Sequence, residues 1–252
     1  AVFENSMRRY REAGSLARAE IARAMNHMTD RIDTRGNGMP LVVYNQLSWT
    51  RTDVVECDVA FTAPDVFSLV LENSAHQRIP LQIVNDERYE NDAFRKITIA
   101  FVAVNVPAMG YEVYHLIPGQ DAGDDGNIED DGEHFENEFY SLRVDPRRGL
   151  ITSIKREGTE LVDPERPFAN SIVREADHGD FWQVNDTVFT GGVHPDVKKY
   201  PLPAADAAVF SHDCTGNTSS RYGPVMTEFT TAFDRCHTSI RMYRGLPRID
   251  IT

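Results

Sequence analysis

A chain of 252 residues, 41% of them hydrophobic and 26% charged, is long enough to bury one large or two moderate cores. No run approaches the ~18 apolar residues of a membrane-spanning helix, which argues against one. With 39 acidic against 26 basic residues the net charge is -13, a mean field that repels nucleic acid.

The first segment, "AVFENSMRRYREAG", has none of the basic region, apolar stretch and small-residue cleavage site of a secretory signal, and it opens without methionine. It therefore reads as an internal start, with any targeting signal of a longer protein out of view. The three cysteines, Cys57, Cys214 and Cys236, form no CxxC pair, which argues against a disulfide scaffold and fits a reducing, cytoplasmic location. From Phe3 the apolar or small positions run Phe3, Met7, Tyr10, Gly14, Ala17, Ile21, Ala24 and Met28, in steps of four and three. That is the seam of a helix packed against other helices. Residues 1-33 are expected to form one long helix, a bundle member whose partners lie outside the chain or on the flank of its β part. Gly36, Gly38 and Pro40 then stop it.

Beyond Pro40 the apolar period changes from about 3.6 to 2. In "DVVECDVAF" Val55, Cys57, Val59 and Phe61 share one face, and in "KITIAFVAVNV" Ile97, Ile99, Phe101 and Ala103 alternate with Thr98, Ala100, Val102 and Val104. The second of these has few polar residues on either face, so it is expected to be covered on both. "VFSLVL" (66-71), "PLQIV" (80-84) and "GYEVYHLI" (110-117) complete a set of short strands, and residues 34-118 read as a small antiparallel β-sandwich. "NQLSWTRTDVV" reads as a strand end and turn in which Asn45 caps the turn and Trp49 packs.

Residues 119-134 form an acidic linker. Its "DAGDDGNIEDDG" has Asp121 at the first position and Gly126 at the sixth position of a calcium loop, but Gly123 stands at the third position, a ligand position, so a solvated linker is the better reading. Residues 135-252 begin a second, larger β region. Phe139, Ser141 and Arg143 alternate with Tyr140, Leu142 and Val144, "DPRRG" turns the chain, and Leu150 to Ile154 returns. "NSIVRE", "PVMTEFTTAF" and "TSIRMYRG" follow, and "PRIDIT" still alternates where the sequence stops, which implies a sandwich continuing past Thr252.

The eight histidines include no HxH or HxxxH pair, and no GxSxG elbow, P-loop or dinucleotide fingerprint occurs. Each histidine therefore reads first as a surface or strand residue. The best polar cluster is "READHGDFWQVND", where Glu175, Asp177, Asp180 and Asp186 surround His178 and Trp182. An aromatic ring beside carboxylates suits a sugar, the ring covering the apolar face of a pyranose while carboxylates accept its hydroxyl hydrogens. A polar loop pinned by one buried tryptophan is the plainer alternative.

Taken in order, these segments resemble the C-terminal half of glycoside hydrolase family 38, the α-mannosidases. "LVVYNQLSWTRTDVVECDV" is similar to that family's Asn-Pro-Leu segment, with Gln46 in place of the usual proline; "VNVPAMGYEVYHL", "FENEFYSLRVDPRRGLITSI" and "IRMYRGLPRIDI" are similar to three later segments. The resemblance implies an enzyme with an N-terminal α/β barrel holding zinc, a helix bundle and a β region related to the galactose mutarotase sandwich. The retaining mechanism needs two carboxyl groups about 5 Å apart, and the family carries that pair and its zinc ligands in the barrel, outside this sequence. No catalytic residue and no metal ligand is then expected here, zinc being bound elsewhere in the whole enzyme. Within the chain, Asp180 and Trp182 of "HGDFW" would contact an α-mannoside, the carboxylate accepting hydroxyls and the indole stacking or bracing the loop. No nucleic-acid or membrane partner is implied, and homo-oligomeric association stays open. Two other readings stand beside this one: a carbohydrate-binding or scaffold sandwich without catalysis, and a mutarotase-like enzyme using His178 with Glu175.

Overall fold

The computed structural model describes residues 2–119, 132–165, 168–174, 209–233 and 235–252. It is mainly β, with antiparallel sheets and one helix at the N-terminus. The helix α1 (Val2–Thr29) is rich in Ala, Arg, Glu and Met and contains no proline, and nothing in its length is buried. Phe3 and Tyr10 of the predicted seam are 75% and 74% exposed. The flank of the β part therefore does not cover the seam among the described residues. The helix is tied down at its end, where the Thr29 hydroxyl lies 2.7 Å from that of Tyr44.

Seven strands follow: β1 (Met39–Asn45), β2 (Arg51–Ala60), β3 (Leu69–Glu72), β4 (Arg78–Ile79), β5 (Gln82–Arg88), β6 (Phe94–Val106) and β7 (Gly110–Pro118). They form two sheets, ordered β1-β7-β3-β4 and β2-β6-β5, every pair antiparallel. The alternation dictates which residues face inward. Leu71, Ile97, Ile99, Phe101, Tyr114 and Leu116 build the core between the sheets, with the Phe101 and Tyr114 rings 4.9 Å apart and tilted. The strand predicted at 66-71 starts only at Leu69; Val66 is buried in the preceding loop, where its carbonyl accepts the Phe94 N–H at 2.7 Å.

Four strands open the second β region: β8 (His134–Glu136), β9 (Tyr140–Asp145), β10 (Leu150–Arg156) and β11 (Thr159–Glu160), paired in the order β11-β10-β9-β8. The Asp145 carboxylate accepts the N–H groups of Arg147 and Arg148, and the Gly149 N–H closes the turn on the Asp145 carbonyl. Gly149 has φ +71°, and a Cβ there would collide with the Thr231 hydroxyl. Gly149→Ala therefore combines a left-handed penalty with overpacking and is expected to cost about 2–4 kcal/mol, read as a lowered urea midpoint.

Next come β12 (Val173–Arg174), β13 (Val209–Phe210), a short 3-10 turn (Ser211–Asp213), β14 (Asn217–Arg221), β15 (Met226–Phe233), β16 (Cys236–Tyr243) and β17 (Ile249–Ile251). The β14-β15-β16-β17 sheet packs Phe229, Ile240 and Met242 against Phe135, Leu142 and Ile151 of the β8–β11 sheet. A second sandwich results. The polar strand β14, "NTSSR", had no apolar alternation to announce it.

The two sandwiches join through a third apolar cluster: Ala100 with Val225, Met226, Tyr243 and Leu246, flanked by Val54, Val84 and Val102. β6 is thus covered on both faces, as its sequence predicts. Gln82, buried at the joint, accepts the N–H groups of Val225 and Met226 on one carbonyl oxygen, at 3.2 and 2.8 Å. The joint's rim is ionic. Arg241 reaches Glu228 at 2.7 Å and Glu56 at 2.9 Å; Arg248 reaches Asp53 at 2.8 Å and Asp250 at 2.9 Å.

Candidate functional site

The sugar contacts expected from the sequence, Asp180 and Trp182, lie outside the described residues, as do His178 and Glu175. The chain enters and leaves residues 175–208 through β12 and β13, which pair antiparallel at Val173–Phe210 and Arg174–Val209. A polar cluster sits at the base of this stem. The Ser171 hydroxyl lies 2.9 Å from His212 Nδ1 and 3.5 Å from the Ser211 hydroxyl. The His212 ring stacks on Phe168 at 5.7 Å between centroids and is tilted against Phe210 at 5.0 Å. Asp213 approaches His212 Nε2 at 3.8 Å, and Arg148 covers the Phe168 ring at 5.7 Å.

Local structure holds this cluster in place. Asn170 adopts φ +57° and ties the segment to β10, its side chain accepting the Ile151 N–H at 2.8 Å. Ser211 is buried and accepts the Ile172 N–H at 2.9 Å. That bond fixes the Ser211 side chain beneath Ile172. The Ser171–His212 pair can pass a proton, and its aromatic flanks beside hydroxyl and imidazole groups suit a polyhydroxylated ligand. Sequence reasoning treated His212 as an ordinary surface or strand histidine. Its partner stands 41 residues earlier and no local spacing links the two.

A second concavity lies where β1 and β2 face each other, a cleft of about 380 Å³. Val43, Val55, Ala103 and Val106 supply its apolar lining; Arg51, Asp53 and Glu56 stand at its charged side. Asn45, 4% exposed, organises the adjoining end of the sandwich. Its amide nitrogen donates to the carbonyls of Trp49 (2.7 Å), Val106 (3.1 Å) and Pro107 (3.1 Å), while its oxygen accepts the Leu47 N–H. The expected turn-capping role is observed. Trp49 is a correction: it was expected to pack, yet it is 60% exposed, because Asn45 holds the tryptophan's backbone and leaves its ring outside. Trp49→Ala should accordingly cost under about 1 kcal/mol in a denaturant melt, against the ~3–5 kcal/mol of a packed tryptophan.

One carboxylate of the rim, Glu228, responds to its surroundings. Burial pushes Glu228 upward, but hydrogen bonds from Ser239 and Arg241 outweigh it and hold the group below its ordinary value. Its contribution is therefore present above the unfolded carboxylate pKa of about 4.3 and is lost as pH falls through the folded value. The melting temperature should be level above roughly pH 5 and fall below about pH 4. Glu228→Gln should remove part of that fall.

Among the described residues no three His, Cys, Asp or Glu side chains converge as metal ligands, and no helix is long and apolar enough to cross a membrane. The sequence matches no family model, and no curated protein is significantly similar to it.

Proposed function

We propose that the chain is the bundle-helix and β-scaffold part of a retaining α-mannosidase-type glycoside hydrolase, whose zinc and catalytic carboxylates are supplied outside it. One observation carries the proposal: the segments that resemble the family meet as joints of one scaffold. Asn45 clamps the two turns at one end of the first sandwich. Asn137 of "ENEF" does the same in the second, donating to the Tyr243 carbonyl at 2.7 Å and accepting the Phe139 and Tyr140 N–H groups. Arg241 and Arg248 of "IRMYRGLPRIDI" bind the first sandwich through Glu56 and Asp53. Residues recurring for a shared architecture belong at such joints, and the unburied seam of α1 fits a helix made for a bundle.

In this role the chain positions rather than reacts. Asp180 and Trp182, in the sequence between β12 and β13, would present a carboxylate and an indole to the sugar. The test is hydrolysis of an aryl α-mannoside, with and without added zinc, by the whole protein that carries this segment. Turnover with retention at the anomeric carbon supports the proposal, and no turnover of any α-mannoside under either condition refutes it. Saccharide binding without turnover would instead favour a non-catalytic carbohydrate-binding module, a reading the Ser171–His212 cluster supports.

A further inference from the structure

Every open sheet ends in strands whose outer backbone groups have no ladder partner, and such edges pair with any extended chain unless something prevents it. Among the described residues most edges are guarded. β4, β8, β11, β12, β13 and β17 are three residues long or shorter. β5 breaks register twice and ends in "NDER"; β2 shifts register after Arg51 and carries four charged residues; β14 is a short polar "NTSSR". β1 has none of these devices over most of its length. Its seven residues, "MPLVVYN", are uncharged and keep continuous register with β7 from Met39 to Asn45.

Proline is tolerated in a strand where its missing N–H faces away from the ladder. Pro40 therefore turns its backbone outward, and by the period of two Val42 and Tyr44 do the same. Both line the cleft of about 380 Å³, whose apolar wall includes Val43, Val55 and Val106. Of the charges beside it, Asp53 is engaged by Arg51 and Arg248, and Glu56 by Arg241. What remains open among the described residues is a pair of backbone donors and a pair of acceptors at strand spacing, above a valine-lined hollow.

We propose that the open edge of β1 docks an extended peptide segment as an added strand, its backbone bonded to Val42 and Tyr44 and its small apolar side chains in the cleft. Only an extended chain repeats donor and acceptor at this spacing, and alternate valine-sized residues match the hollow. Basic residues at either end of the segment complement the net charge of -13.

The experiment titrates the full chain into a fluorescein-labelled Lys-Val-Thr-Val-Thr-Val-Lys peptide and follows anisotropy. N-methylating alternate residues in one phase should weaken binding by about tenfold or more, and in the other phase should leave it nearly unchanged, because only one set of N–H groups faces β1. Val42→Pro deletes an outward N–H that β7 does not use, so it should keep the melting temperature and lose the peptide. Equal effects of the two methylation phases, or no binding up to about 1 mM, would overturn the proposal. So would displacement of the peptide by methyl mannoside, or a dimer that Val42→Pro dissolves, which would give the edge to a sugar or to a second copy.

Discussion

Gly223→Val should split the thermal unfolding of this chain into two transitions. The two sandwiches meet where Gln82 is buried under the turn before β15, and any Cβ on Gly223 would collide with the Gln82 carboxamide. The side chain has no room to retreat, since its oxygen holds the Val225 and Met226 N–H groups. Overpacking costs about 1–3 kcal/mol and the two lost hydrogen bonds about 1 kcal/mol each. A penalty of about 3–5 kcal/mol falls on the joint alone, while the cores around Phe101 and Phe229 are untouched. Calorimetry of the wild type should give one cooperative peak and the variant two. A single peak at an unchanged temperature would mean that Gln82 does not couple the sandwiches.

The second large effect is expected at Asn45. Replacement by alanine leaves the carbonyls of Trp49, Val106 and Pro107 without their donor and releases the Leu47 N–H. Buried unsatisfied groups cost about 1–3 kcal/mol each where water cannot reach them, so about 3 kcal/mol or more is expected from urea unfolding. Aspartate is no substitute, because it keeps the acceptor but sets a charge against three carbonyl oxygens. A loss below about 1 kcal/mol would show that water replaces the amide.

Much of the architecture was legible because alternation is a local signal. The inward residues of β2, β6 and β9 were readable from their period of two, and the double covering of β6 from its lack of polar residues on either face. β14 was not readable, since its place depends on pairing with β15, not on its own composition. Trp49 misled for a related reason: an indole is usually buried, but what decided its position was the Asn45 amide, whose other bonds lie about sixty residues away. The Ser171–His212 pair was invisible in the same way, because its two members stand 41 residues apart in the sequence. Asp180 and Trp182 were read from their chemistry together with the family resemblance, and the described residues fix only the strands β12 and β13 on either side of them.

The two-faced character of β6 also orders events in time. During synthesis, residues up to Pro118 emerge long before Met226 and Tyr243 exist to cover Ala100 and Val102. At ribosomal rates that interval is roughly ten seconds. For its duration the first sandwich carries a naked apolar face on β6, the central strand of its β2-β6-β5 sheet. Until the second sandwich docks, that face is the part of the nascent chain most open to self-association.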